Sequence, residues 1–161
     1  MARSALVMSA TPEAVWQVLS QPRHYGYWVV GSSEIRGWDE DWPEVGSRFH
    51  HRVGADPVTL ADHTEVIEAE RPRLLVLRAK ARPLGVARVE MRIAEHPAGS
   101  LVTMIEDPDV PLPMVLVPPP VHALIRVRNG ESLRRLRRLA EEELPAADVQ
   151  KRKQPKRRRA R

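Results

Sequence analysis

His51 and Asp62 are the residues whose types and spacing best suit proton chemistry. They lie in two runs, 47–53 and 58–69, separated by the turn-forming stretch Gly54-Ala55-Asp56-Pro57. Side chains alternate along a strand, so a face that holds Phe49 and Val53 also holds His51. By the same alternation a face that holds Val66 also holds Thr64, Asp62 and Leu60. A tight turn at 54–57 is expected to set His51 across from Leu60 and diagonal to Asp62. An imidazole near a carboxylate inside an apolar enclosure can act as a general base, or can hydrogen-bond a ligand hydroxyl or carbonyl. A plainer role also fits: polar groups satisfied by water or by each other at a cavity mouth.

Other polar candidates are few. Asn129 lies on the apolar stripe of a predicted helix, where a buried amide needs partners from a ligand, water or its own backbone beside Gly130. Glu106 ends a strand whose inward face is open between the phases Val102/Met104 and Leu101/Ile105. His50 and His51 are strand neighbours and point to opposite faces, so they do not chelate one metal. His24, His63, His96 and His122 are scattered and no HExxH occurs, so no metal is expected, and no cofactor. There is no cysteine, which excludes disulfides and thiolate chemistry and fits a cytoplasmic protein. Trp16, Tyr25, Tyr27, Trp28, Trp38 and Trp42 crowd the first 42 residues. Trp16 and Trp28 are expected to anchor short helices to a sheet, and Trp38 and Trp42 to flank an entrance or pack on the surface.

Charge divides the chain in two. The whole carries a net +5, but residues 145–161 hold eight Lys or Arg against one Asp, leaving 1–144 slightly acidic. An electrostatic case for nucleic acid or anionic membrane therefore rests on the tail, chiefly 151–161. The tail has little apolar content and is expected to be disordered. Apolar residues make up 42% of the chain and charged residues 29%, enough to bury one core and line a cavity. No apolar run is long enough to cross a membrane, and the N-terminus reads as mature sequence without a signal peptide.

The elements that must position these residues follow from local pattern. Residues 4–10 read as a strand. Thr11-Pro12-Glu13 starts a helix, with Thr11 as its N-cap, and Val15, Trp16 and Leu19 on one face. A second short helix or turn is expected over 23–29. Strands are predicted at 33–38, 47–53, 58–69, 74–81, 86–94 and 101–106, joined by Pro, Gly and Asp turns, which reads as an antiparallel meander. Five prolines between 111 and 120 make a rigid connector, with room for one helical turn at 114–117. A long helix is then predicted over 121–144, its stripe formed by Val121, Ile125, Asn129, Leu133, Leu136, Ala140 and Leu144, with a bend expected at Gly130. The fold class is thus α+β: a curved antiparallel sheet of about seven strands wrapped on a long C-terminal helix, with two short helices after the first strand.

Several short motifs carry a resemblance in this order: Ala10-Thr11-Pro12-Glu13-Ala14-Val15-Trp16 with Trp28 beyond it, Val45-Gly46-Ser47-Arg48, Glu70-Arg71-Pro72-Arg73-Leu74, and Arg128-Asn129-Gly130-Glu131-Ser132-Leu133. From about Ser4 to Glu143 the chain resembles the START/Bet v 1-like (SRPBCC) superfamily, in particular its uncharacterised bacterial members of polyketide cyclase/dehydrase type. The resemblance implies a helix-grip ligand-binding domain over 1–144, followed by the basic tail 145–161. It carries no universal catalytic signature, and fold alone does not fix function. The favoured expectation is binding or carriage of a lipid, sterol or polyketide-like molecule. Leu75, Leu77, Val89, Met91, Met104 and Ile125 would line the cavity, and His51, Asp62 and Asn129 would orient a polar group. The alternatives are a cyclase/dehydratase-type enzyme using His51 and Asp62, and a tail-driven association with nucleic acid or anionic membrane.

Overall fold

The computed structural model describes residues 1–55, 58–81, 85–109 and 119–142, with side chains over the same ranges except 33, 53–55, 58–60, 81, 108 and 119–122. The chain opens with β1 (Ala2–Met8), then α1 (Pro12–Leu19), a 3-10 turn (Pro22–His24) and α2 (Tyr25–Trp28). Six strands follow: β2 (Ser32–Trp38), β3 (Arg48–Ala55), β4 (Val58–Glu70), β5 (Leu74–Ala81), β6 (Gly85–His96) and β7 (Gly99–Pro108). The long helix α3 (Pro119–Glu142) comes last. The strands form one antiparallel sheet in the order β1-β7-β6-β5-β4-β3-β2. Bulges break the register between Ser32 and Gly37 and between Val66 and Glu68, which bends the strands around the helix.

Local chemistry explains the boundaries. The Thr11 hydroxyl accepts the Ala14 amide at 3.2 Å, capping α1. Gly99 turns β6 into β7 at φ +133°, and a Cβ there would meet the Met8 carbonyl oxygen at 2.5 Å, so only glycine lets β1 lie this close. The core is the concave face of the sheet. Leu75, Met91, Ile93 and Val102 from the strands meet Val15, Trp16, Leu19, Leu133, Leu136 and Leu139 from the helices. Burial of such side chains stabilises by about 1.5–3 kcal/mol each. α3 rests on β1 and α1 and touches α2, so the first strand and the last helix share one interface.

The structure revises several expectations and decides the open phase of β7. The β3–β4 register pairs Ala55 with Val58, so His51 stands directly opposite Asp62 and Val53 opposite Leu60. The strands run to the ends of the turn and leave a shorter connection than the pattern 54–57 implied. Trp42 is core, 7% exposed against 49% for Trp38, because the 39–47 loop folds inward and its indole N–H donates to the Leu19 carbonyl at 3.1 Å. On β7 the inward phase is Val102, Met104 and Glu106. α3 continues through Gly130 without a break, since its contacts with the sheet offset the glycine's poor propensity. Its buried face also includes Ser132 and Leu139, while Ile125 is only half-buried. The 114–117 turn and the 145–161 tail lie outside the described residues.

Candidate ligand-binding site

Between α2, the concave face of the sheet and α3 lies a cavity of about 330 Å³. One wall comes from α2 and the turn after it: Tyr25, Trp28, Val29 and Val30. The floor is Phe49, Leu77, Ala79, Ala87, Val89 and Met104, contributed by β3, β5, β6 and β7. The polar lining falls mainly into two pairs, His51 with Thr64 and Glu106 with Arg128, and Ser32 and Lys80 border the cavity too.

The aromatic wall is fixed from behind. The Tyr25 hydroxyl donates to the Leu19 carbonyl at 2.9 Å, the same oxygen that receives the Trp42 indole. The Tyr25 ring contacts Trp28, Trp42 and Phe49 at centroid distances of 5.0, 5.7 and 4.7 Å. Such tilted and edge-on contacts hold rings in one arrangement. Burial pushes the Tyr25 phenol far above its ordinary range, so it stays neutral.

His51 Nε2 lies 3.1 Å from the Thr64 hydroxyl, one step diagonal across β3–β4. Burial lowers the His51 pKa from its ordinary 6.5, and the Asp62 carboxylate pulls the other way without reversing it. The ring is therefore neutral near pH 7, able to donate from one nitrogen and accept at the other. Its Nδ1 is buried without a hydrogen-bond partner. Across the cavity, the Arg128 guanidinium donates to the Glu106 carboxylate and reaches Asn129 Oδ1 at 3.3 and 3.4 Å. This pair neutralises both charges, so the apolar chamber has a polar but uncompromised wall.

The residues expected from sequence divide into three groups. His51, Leu77, Val89 and Met104 line the cavity. Leu75 and Met91 are fully buried in the core and do not reach it, because they lie further along β5 and β6, toward the end of the sheet covered by α1 and the second half of α3. Asp62 shares the face of His51 but stands outside the lining, where it accepts the His63 amide at 3.1 Å. Asn129 is fully buried next to the lining, with its Nδ2 unpartnered, and Ile125 also stands outside it. Arg128 was not singled out from sequence. It sits one residue from the buried stripe, and only the length of its side chain brings the guanidinium back to Glu106. Trp28, expected to anchor a short helix to the sheet, is buried and also faces the cavity, as does Tyr25.

The sequence profile of a family described as polyketide cyclase/dehydrase and lipid transport matches residues 2–141. The chain belongs to this family. The family fold is a helix grip that binds hydrophobic ligands. Among solved structures, protein MLL2253 from Mesorhizobium loti is 18% identical with a TM-score of 0.64, over 89% of this chain and 98% of that one. An AHSA1-like protein from Aeromonas hydrophila is 21% identical with a TM-score of 0.61, over 91% and 93%. The di-domain aromatase/cyclase StfQ from the steffimycin biosynthetic pathway is 10% identical with a TM-score of 0.65, and 88% of this chain covers 50% of it. At these identities the shared property is the fold. The comparison with curated proteins finds no match. Among the described residues no helix is long and apolar enough to cross a membrane.

Proposed function

We propose that this family member binds a compact, mostly apolar small molecule that carries an oxygen function. The observation that carries the reading is the cavity itself: about 330 Å³, walled by aromatic and aliphatic side chains, with polar contacts at two opposed points. Small-molecule sites span about 300–1,000 Å³, so this one suits a ligand at the small end of that range. A cyclic polyketide-like or aromatic compound fits that size better than a long-chain lipid or a sterol. The apolar walls supply affinity at about 25 cal/mol per Å² buried. Neutral His51 with Thr64, and Arg128 beside Glu106, orient hydroxyl or carbonyl groups. The absence of cysteine fits a cytoplasmic location, which is part of this proposal.

The test is native mass spectrometry of the protein purified from its own host, followed by organic extraction. A bound compound is expected that disappears in a Met104→Trp variant, whose indole fills the chamber. Retention of the same compound by that variant would place it elsewhere and defeat the reading.

A second reading is supported by the direct pairing of His51 with Asp62. In it His51 takes a proton from a bound ketide-like substrate, and Asp62 stabilises the imidazolium that forms. StfQ, an aromatase/cyclase of similar fold, makes such chemistry a reasonable candidate. Once a substrate is identified, unchanged turnover by His51→Ala and Asp62→Ala would exclude it.

A further inference from the structure

We propose that His50 and His63 form a binding site for one first-row divalent transition-metal ion on the outer face of the sheet. Spacing in the sequence scatters the two, whereas the β3–β4 register sets them directly opposite each other. Opposed positions of an antiparallel pair bring Cβ atoms to about 4.5–5.5 Å. Here the ring centroids are 6.1 Å apart. His50 precedes His51 and His63 follows Asp62, so strand alternation turns both rings away from the cavity. His50 is exposed and His63 half-buried. Among the described residues neither ring makes a hydrogen bond, which leaves their nitrogens free to ligate.

The separation suits an ion. With metal–nitrogen bonds of about 2.0–2.1 Å, each ring centre stands about 3.2 Å from the metal, so two centres holding one ion lie about 5–6.4 Å apart. The observed distance falls in that range, and a tetrahedral angle needs the rings to approach by about 1 Å. Gly37, the partner of His50 on β2, has no side chain, and a Cβ there would meet nothing within 4 Å. His50 therefore has room to turn, and a hydrated ion has room to sit. The flanking arginines are neutralised: Arg48 pairs with Glu65 and Arg52 with Glu34, each at 3.2 Å. Burial first, then Lys80 and Arg48, lower the His63 pKa from 6.5, so that ring is neutral near pH 7, as a ligand must be. Two imidazoles select Cu2+, Ni2+ or Zn2+, whereas Mg2+ and Ca2+ take oxygen. Among the described residues no third His, Asp or Glu completes a cage, so water or a small anion takes the remaining positions and the ion exchanges readily. An ion held there ties β3 to β4 beside His51 and Asp62. The site uses neither the cavity nor its ligand, so the inference stands apart from the proposed function.

The test is calorimetric titration of the full chain with Ni2+ and Zn2+, with Mg2+ as competitor. One ion per chain is expected, undisturbed by excess Mg2+. His50→Ala and His63→Ala should each bind it about tenfold or more weakly, because a chelating pair becomes a single ligand. Both side chains lie on the outer face, and circular dichroism checks that the variants keep their fold. In the unaltered chain, Zn2+ should shift the imidazole NMR signals of His50 and His63 together. No binding, affinity unchanged in His50→Ala/His63→Ala, displacement by Mg2+, or shifts confined to other histidines would each overturn the proposal.

Discussion

At the scale of single residues, His51 concentrates the site's titration behaviour. Its ring lies against Thr64 in an apolar wall, so desolvation disfavours the imidazolium, and Asp62 partly offsets this. An NMR titration of the imidazole is expected to place its midpoint below 6.5. Asp62→Asn should lower it further, because the only change is loss of the charge that favours protonation. A midpoint that rises in Asp62→Asn would show that the carboxylate is not coupled to the ring. Arg128 is the matching point on the opposite wall. Arg128→Met keeps most of the side chain's volume but strands the Glu106 carboxylate against an apolar chamber. With the guanidinium about one-third exposed, a stability loss of about 1–2 kcal/mol is expected by denaturant unfolding. The double variant Arg128→Met/Glu106→Leu should recover most of that loss, since both charges are then gone.

At the scale of elements, the connections carry as much information as the strands. Gly99→Ala is expected to cost more than the ordinary glycine-to-alanine difference, about 2 kcal/mol or more, because the new methyl meets backbone rather than a movable side chain. Thr11→Ala should cost about 1 kcal/mol through loss of the α1 cap. The melting temperatures of the two variants would check both. Element order, the strand pattern and the helix stripe were legible in sequence, because alternation, capping and proline placement are local. The hairpin register was not, since 54–57 reads as a turn whether its ends pair or splay, and one two-residue difference moves His51 from Leu60 to Asp62. Nor was the division of one inward face into cavity and core. Leu75 and Leu77 are alike in sequence, and only the position of α1 and α3 over the sheet makes one core and the other lining. Trp42 escaped notice for a related reason: an acidic turn gives no sign that its one indole folds under to meet Leu19.

At the scale of the whole molecule, stability should fall on acidification well before the carboxylates titrate. His24 and His51 are both buried, and burial lowers both pKa values from 6.5. The unfolded chain then takes up protons at these positions before the folded one does. Their contribution is therefore complete above about pH 6.5 and is lost as the pH drops through that value toward the folded pKa values. Urea unfolding at pH 8, 6 and 5 should give a midpoint that declines across this series, and a midpoint constant down to pH 5 would contradict it.

One feature of the sheet order bears on how the chain is made. β1, made before the other six strands of the sheet, hydrogen-bonds only to β7 within it and is covered by α3. Its hydrogen-bonding edge and its apolar side must wait for more than ninety residues of synthesis before either finds its partner. The β2–β6 meander can assemble as it emerges, while β1 remains an unpaired strand of the kind that invites misassociation. A ribosome-bound chain arrested before Gly99 should therefore hold a protease-sensitive β1, and synthesis through α3 should protect it.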